Sequence, residues 1–170
     1  MKKTIQITQP EYTKLMYIMT YRKPTIILAT IAGAIMMVAC IMYLAGAGFI
    51  TPGRPPYIQI FLAVVALVFL PITIYTSSVK SYKASQRIQE PIEYNFTHDK
   101  LTITGSTFKG EREWGKTYKI LELKNYFLIY ENNMVFNLIV KTAMSPAEVS
   151  ELREILRNVT IAGTKHLFSS

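Results

Sequence analysis

The sequence predicts a membrane protein with a two-helix transmembrane hairpin and an α+β domain, a small antiparallel sheet or partial barrel with one C-terminal helix. Three observations predict this fold class. Residues 25–50 and 57–79 are apolar stretches without a charged side chain. After residue 91, short segments rich in β-branched and aromatic residues alternate with turn residues, a pattern typical of antiparallel strands. An amphipathic helical pattern near the C-terminus completes the α+β domain.

The composition excludes two broad classes of protein. The chain has 170 residues, of which 50% are hydrophobic and 18% are charged, whereas about 25% charged residues is usual in soluble domains. The apolar content excludes an intrinsically disordered chain, and the single cysteine, Cys40, excludes a disulfide scaffold. The net charge of +8 is compatible with a nucleic-acid-binding protein, so the position of the charges has to decide.

The two apolar stretches are long enough to cross a membrane. They contain 26 and 23 residues, and a transmembrane helix needs about 20. Two such runs separated by six residues favour membrane spans over buried core helices. The first run begins too late and is too long for the apolar part of a signal peptide. We therefore predict transmembrane helices at 25–50 and 57–79, joined by an external loop at 51–56, with a kink at Pro71.

The surplus positive charge flanks the apolar stretches. Residues 1–24 carry a net charge of +4 and residues 80–90 a net charge of +2, whereas the loop 51–56 and the segment 91–170 carry +1 each. The positive-inside rule therefore places both termini in the cytoplasm and the loop outside. Because the segment 91–170 is nearly neutral and has no basic stripe, we expect no nucleic-acid partner.

Six basic residues at these flanks are candidate contacts for anionic lipid head groups, each contributing about 1 kcal/mol. They are Lys14, Arg22, Lys23, Lys80, Lys83 and Arg87. The alternative is that these charges only set the orientation of the spans. Because the apolar stretches contain no Asp, Glu, Lys, Arg or His, a transporter or channel is not expected.

Residues 1–24 are predicted to be cytoplasmic, with a strand at residues 4–8 followed by an amphipathic helix. Thr8 and Glu11 form the capping-box pattern that opens this helix. We expect the strand to join the sheet of the C-terminal domain, because both termini are predicted in the same compartment. Residues 80–91 are predicted to be a juxtamembrane linker.

Residues 92–163 are predicted to form the cytoplasmic strand-rich domain. Six strands are expected, at residues 92–97, 100–104, 107–114, 117–123, 126–131 and 134–140. The segment Ser145-Pro146-Ala147-Glu148 has the N-terminal pattern of a closing helix, and Gly163 is its expected stop. The strands are expected to form one small curled sheet or barrel that the helix closes, and residues 164–170 are expected to be a tail.

The chain resembles the YcxB-like family of bacterial membrane proteins over nearly its whole length. The resemblance rests on the opening strand and helix, the two-span hairpin and short motifs in the C-terminal half. These motifs are Ile92-Glu93-Tyr94-Asn95-Phe96, Trp114, Tyr126-Phe127-Leu128-Ile129-Tyr130 and the segment from Ile139-Val140-Lys141 to Leu156. The resemblance implies a two-helix anchor in the bacterial cytoplasmic (inner) membrane, carrying a cytoplasmic domain similar to pleckstrin-homology-like (PH-like) folds. One departure is Val140, where the family often has proline.

The sequence lacks the residue patterns that support catalysis, metal binding or cofactor binding. His98 and His166 are the only histidines, and the single cysteine lies within a predicted span, so neither a zinc site nor an activated nucleophile is expected. Glu111 and Glu113 share one face of a predicted strand, but Lys109 on that face favours a solvated charged surface over an acid–base pair. We therefore expect no catalytic residue, no metal and no cofactor.

These observations favour a non-catalytic, membrane-anchored cytoplasmic binding or regulatory module. Its expected partners are the lipid bilayer and either another protein or a second copy of the chain, with a protein partner joining at an open sheet edge. The alternative is an accessory or immunity-type subunit of a membrane complex that acts through its transmembrane hairpin.

Overall fold

The structure, a computed structural model, describes residues 1–46 and 55–168. The end of the first expected span and most of the expected loop 51–56 therefore lie outside the described residues. The chain divides into two compact units. One of them, called here the helical unit, comprises Thr8–Ala84. The other, called the strand-rich unit, comprises Met1–Ile7 and Ser85–Ser170.

The helical unit contains two long apolar helices preceded by a shorter one. Helix α1 spans Gln9–Tyr21 and helix α2 spans Pro24–Leu44. The second long helix consists of α3 (Tyr57–Val64), a π-helical turn (Val65–Phe69) and α4 (Leu70–Ala84). Helix α2 packs against α3 and the π turn, and α1 packs against α4. The two expected apolar helices are present, with 21 and 28 residues, and each is long and apolar enough to cross a membrane.

The π turn lies immediately before Pro71. Proline has no N–H for the helical hydrogen bond, and its ring crowds the carbonyl group four residues earlier, which belongs to Leu67. A π turn is wider than an α turn and accommodates this crowding. The sequence predicts a kink at Pro71. The structure has a π turn next to this proline, and the helix continues beyond it to Ala84.

Gly33 allows the close approach of α2 to the second long helix. It is buried, and a Cβ atom placed on it would lie 2.6 Å from the Cβ atom of Ala66 in the π turn. Side-chain atoms do not approach one another so closely, so any larger residue at this position would force the two helices apart.

Two four-stranded sheets form the framework of the strand-rich unit. The first sheet is antiparallel throughout and has the order β1-β2-β3-β4. Its strands are β1 (Lys2–Ile5), β2 (Ile92–Phe96), β3 (Lys100–Thr104) and β4 (Lys109–Glu113). The second sheet has the order β7-β6-β5-β8. Its strands are β5 (Lys119–Glu122), β6 (Tyr126–Tyr130), β7 (Phe136–Val140) and β8 (Thr164–His166).

Two helices complete the strand-rich unit, α5 (Gln86–Gln89) before β2 and α6 (Pro146–Asn158) after β7. Helix α6 begins with the expected capping box, since Ser145 accepts from the Glu148 N–H at 3.3 Å and Glu148 accepts from the Ser145 N–H at 2.7 Å. Leu152 and Leu156 of α6 are fully buried, as is expected for positions four residues apart on one helix face. Strand β6 is buried along its whole length and forms the centre of the core.

Three features differ from the sequence-based expectations. The strands form two sheets instead of one curled sheet or barrel, because the chain leaves β4 through the 3₁₀ turn Trp114–Lys116 and starts a new sheet at β5. The expected tail 164–170 contains a strand, β8, which pairs in parallel with β5. The N-terminal strand expected at 4–8 occupies Lys2–Ile5 and pairs with β2.

Gly163 has a different role from the helix stop that the sequence indicates. Helix α6 already ends at Asn158, with Val159 as its C-cap. Gly163 lies just before β8, and a Cβ atom on this residue would overlap the backbone carbonyl group of Tyr118. The glycine therefore permits the close backbone approach that lets β8 pair with β5.

We predict that Gly163→Ala lowers the free energy of unfolding of the strand-rich unit by about 1–3 kcal/mol, because the added methyl group has no room. Urea unfolding of the detergent-solubilised chain, followed by the fluorescence of Trp114, measures this change, since Trp114 is the single tryptophan and is buried. Gly110→Ala is the matched control, because a Cβ atom there meets nothing within 4 Å. Equal unfolding curves for the two variants would contradict the assignment.

Candidate functional site

The packing of α1 against α4 rests on contacts between tyrosine side chains and the partner helix. The hydroxyl group of Tyr17 donates a hydrogen bond to the carbonyl oxygen of Pro71 at 2.6 Å. The rings of Tyr12 and Tyr82 lie with their centres 6.0 Å apart. Leu15 is fully buried. These contacts fix the position of α1 along α4, and thereby the position of the lysines that the two helices carry.

A shallow surface depression runs along α1 and α4, and we call it the basic groove. It consists of two concavities of about 430 and 570 Å³ that share Tyr75 as a wall. The first is lined by Gln9, Pro10, Thr13, Lys14, Tyr17 and Tyr75. The second is lined by Tyr75, Thr76, Val79, Lys80, Lys83 and Ala84.

The structure brings together three of the six basic residues that the sequence singles out, namely Lys14, Lys80 and Lys83, which line the basic groove. Arg22 and Lys23 are exposed at the break between α1 and α2 and are not among the lining residues. Arg87 belongs to α5 of the strand-rich unit. The candidate lipid contacts are therefore divided among three places.

The segment that contains α5 is held against the turn between β3 and β4. The carboxylate of Glu90 accepts hydrogen bonds from the Ser106 hydroxyl at 2.5 Å, the Ser106 N–H at 2.9 Å and the Thr107 hydroxyl at 2.8 Å. The bonds from the Ser106 and Thr107 hydroxyls hold the pKa of Glu90 below its usual value. The guanidinium carbon of Arg87 lies 4.1 Å from the centre of the Phe108 ring. Arg87 is thus occupied by a cation–π contact within its own unit.

A buried carboxylate joins several parts of the strand-rich unit. Glu122, at the end of β5, is 2% exposed, and it accepts hydrogen bonds from Lys141 Nζ at 2.6 Å and Arg153 Nη2 at 2.8 Å. The backbone N–H of Phe168 donates to the same carboxylate at 2.9 Å. Lys141 follows β7, Arg153 lies on α6 and Phe168 follows β8. We call these four residues the Glu122 cluster.

The hydrogen bonds of the Glu122 cluster favour the ionised carboxylate. Burial on its own would raise the pKa of Glu122, but the bonds from Arg153 and Lys141 outweigh burial and hold the pKa below its usual value. Burial lowers the pKa of Lys141, whose ammonium group lies 4.4 Å from the centre of the Phe127 ring. Because these charged groups are bound to one another and largely shielded from water, the arrangement is that of a structural ion cluster.

The residues that the sequence offers for chemistry lie in separate places on the strand-rich unit. His98 is exposed in the turn between β2 and β3, and His166 is exposed in β8. Glu111 and Glu113 each pair with a lysine, at 2.6 and 3.0 Å, and form the charged surface expected of them. Over residues 1–46 and 55–168, no group of three or more His, Cys, Asp or Glu side chains could hold a metal ion.

Sequence reasoning missed Tyr75 as the shared wall of the groove, the bonds of Glu90, and the Glu122 cluster. One signal was available, because Glu122 interrupts the apolar run Ile120-Leu121-Glu122-Leu123, and a charge in a buried strand needs a partner. Its partners lie 19 and 31 residues further along the chain. No local pattern identifies such distant partners.

Comparison with known proteins bears on the strand-rich unit. Residues 96–156 match the family model described as YcxB-like protein, which confirms the family resemblance over that segment. The matched segment runs from the last residue of β2 into α6 and includes Glu122, Lys141 and Arg153. No curated protein and no solved structure matches the chain significantly.

We predict that Glu122→Gln lowers the free energy of unfolding by about 3 kcal/mol, because Lys141 and Arg153 lose their buried counter-charge. In the unmodified protein, the contribution of Glu122 to the free energy of unfolding is fully present above the pKa of a glutamate in the unfolded chain, about 4.3. It is lost as the pH falls through the lowered pKa of Glu122 in the folded state. Part of this acid sensitivity should disappear in the variant.

Urea unfolding monitored by Trp114 fluorescence, repeated over a series of pH values, measures both effects. Glu113→Gln is the control, because the Glu113–Lys116 pair is exposed and should change stability by less than about 1 kcal/mol. If the two variants lose the same stability, the Glu122 cluster does not have the role described.

Proposed function

We propose that this member of the YcxB-like family is a non-catalytic, membrane-anchored binding or regulatory module with both termini in the cytoplasm. The proposal places α2 and the second long helix across the bacterial inner membrane. It places the strand-rich unit, as a PH-like domain, at the cytoplasmic face. The observation that carries the proposal is the exposure of the two apolar helices.

The two long helices leave most of their apolar surface uncovered by the chain itself. Only 11% of the most apolar window of α2 and 6% of that of the second long helix are buried. Leu28, Ile35 and Phe61 are each about two-thirds exposed. A core helix of a soluble protein would be mostly buried, and a soluble protein rarely leaves so large an apolar surface in water. A lipid environment removes this cost.

The strand-rich unit supports a binding role more than a catalytic one. Two sheets closed by a C-terminal helix are consistent with a PH-like architecture. The edge strand β4 carries exposed charged side chains, which discourage pairing with another strand. The turn before the edge strand β7 instead exposes Met134 (85%) and Val135 (51%). We therefore propose that a protein partner contacts this apolar turn and the adjoining edge of β7.

The alternative is an accessory or immunity-type subunit of a membrane complex. In that case the transmembrane hairpin itself binds the partner. Replacing residues 24–79 by an unrelated two-helix hairpin, followed by purification from the native membrane, separates the two functions. A module that binds through its strand-rich unit keeps its partner in the chimera, whereas an accessory subunit that binds through its hairpin loses it.

The proposed topology predicts a specific labelling pattern in a Cys40→Ser background, which removes the only native cysteine. In intact spheroplasts, a membrane-impermeant maleimide should react with a cysteine at Pro55 and should not react with a cysteine at Lys124. After the membrane is permeabilised, both should react, because both positions are exposed. The positive-inside rule is the physical basis of this expectation.

The opposite pattern, with labelling at Lys124 in intact spheroplasts, would place the strand-rich unit outside. Alkaline extraction of the membranes is a separate check. If it released the chain into the supernatant, the chain would have no membrane anchor.

A further inference from the structure

Two tyrosines delimit the apolar part of the second long helix. Tyr57 is 72% exposed and Tyr75 is 52% exposed. They are 18 positions apart, a distance of about 27 Å along a helix. This is close to the thickness of the hydrocarbon core, about 30 Å, and tyrosine is enriched at its two boundaries. Given the membrane placement of the proposed function, on which this inference rests, Tyr75 lies at the cytoplasmic boundary.

The basic groove therefore lies at the depth of the lipid head groups. Tyr75 belongs to both of its concavities. Lys80 follows Tyr75 by five positions, about 7.5 Å along α4, and the head-group layer on each side of a bilayer is about 5–8 Å thick. Lys14 lies on α1 between the two tyrosines that contact α4, so it lies beside the same stretch of α4. The ammonium groups of these two lysines are thus placed at the depth of lipid phosphates.

The charges of the groove complement an anion. Lys14 and Lys80 are exposed, and no acidic side chain is among the residues that line either concavity. Glu11 is the only acidic residue in the sequence of the helical unit. Its carboxylate accepts hydrogen bonds from the N–H and hydroxyl groups of Thr8 at 3.0 and 2.8 Å. The walls of the groove therefore attract a negative ligand and contain nothing that repels it.

One buried hydroxyl group lies beside the groove, that of Thr13. This residue lines the first concavity and is 8% exposed, and its hydroxyl group has no hydrogen-bond partner within the described residues. Buried hydroxyl groups in folded proteins nearly always have a partner. The hydroxyl oxygen itself is shut off from the surface, so a ligand lying in the groove does not reach it, and the Thr13 hydroxyl is not part of the site inferred here.

Apart from Gln9 and Thr76, the rest of the groove lining offers mainly carbon atoms. Pro10, Val79, Ala84 and the ring of Tyr75 contribute carbon atoms to the lining. A soluble anion would gain nothing from such walls, whereas the glycerol and upper acyl carbons of a phospholipid would pack against them. A phospholipid also reaches the groove from the bilayer in which the helix lies.

We propose that the basic groove is a binding site for one anionic phospholipid of the cytoplasmic leaflet. Lys14 and Lys80 bind its phosphate. Tyr75 and Val79 pack against the upper part of the acyl chains.

The test uses the full chain in vesicles of equal parts phosphatidylglycerol and phosphatidylcholine. After extraction in a mild detergent, native mass spectrometry counts the lipids retained by each chain. We expect one phosphatidylglycerol to be retained, with a preference over phosphatidylcholine of at least about tenfold. K14Q/K80Q should abolish this preference. The matched control is K109Q/K116Q, which removes the same charge from two exposed lysines of the strand-rich unit and should retain phosphatidylglycerol normally.

Equal retention by K14Q/K80Q and the control, or equal retention of the two lipids, would overturn the proposal. Displacement of the lipid by excess inorganic phosphate would also overturn it, in favour of a site for free phosphate. Alkaline extraction of the same vesicles shows whether the anchor itself has failed: a chain that stays inserted but shows no lipid preference refutes only the lipid site.

Discussion

The carboxylate of Glu122 is the interaction on which the closure of the strand-rich unit depends. It is removed from water and bound by groups that follow β7, lie on α6 and follow β8. A buried carboxylate without partners is strongly unfavourable, so the chain reaches its stable state only when these parts are assembled around it. Lys165 adds a similar constraint, because its ammonium group donates to the carbonyl group of Arg157 at 2.6 Å at the end of α6. The C-terminal third of the chain is therefore tied together by buried charge as well as by apolar packing.

The two units differ in how far their basic residues are balanced by acidic ones. The strand-rich unit contains 13 basic and 10 acidic residues, and many of them pair within it, as do Arg112 with Glu131 at 2.5 Å and Lys3 with Glu148 at 2.8 Å. The helical unit contains six basic residues and one acidic residue. The excess charge of the protein is thus concentrated where acidic partners are scarce. Such a surface attracts anions, and its position beside the apolar helices favours those of a membrane.

Local patterns in the sequence were sufficient to predict most of the secondary structure. The long apolar runs predict α2 and the second long helix, and the capping box at Ser145 predicts the start of α6, because both depend on neighbouring residues. The division into two sheets, the strand β8 and the role of Gly163 could not be predicted in this way. Each depends on segments far apart in the chain, as in the pairing of Lys119 with Thr164. Only part of the basic groove could be predicted in the same way. The sequence identifies its lysines as candidate lipid contacts, but their position around Tyr75 depends on the packing of α1 against α4.

The proposed function requires the second long helix to cross a bilayer between Tyr57 and Tyr75. Single spin labels at successive exposed positions of this helix, in the Cys40→Ser background and in lipid vesicles, measure the depth of each position from its accessibility to oxygen and to a water-soluble nickel complex. We expect oxygen accessibility to be highest near Val68 and to fall toward both tyrosines, while the nickel complex reaches only the ends of the helix. Uniform accessibility to the nickel complex along the exposed face would show that the helix lies in water and does not cross a bilayer.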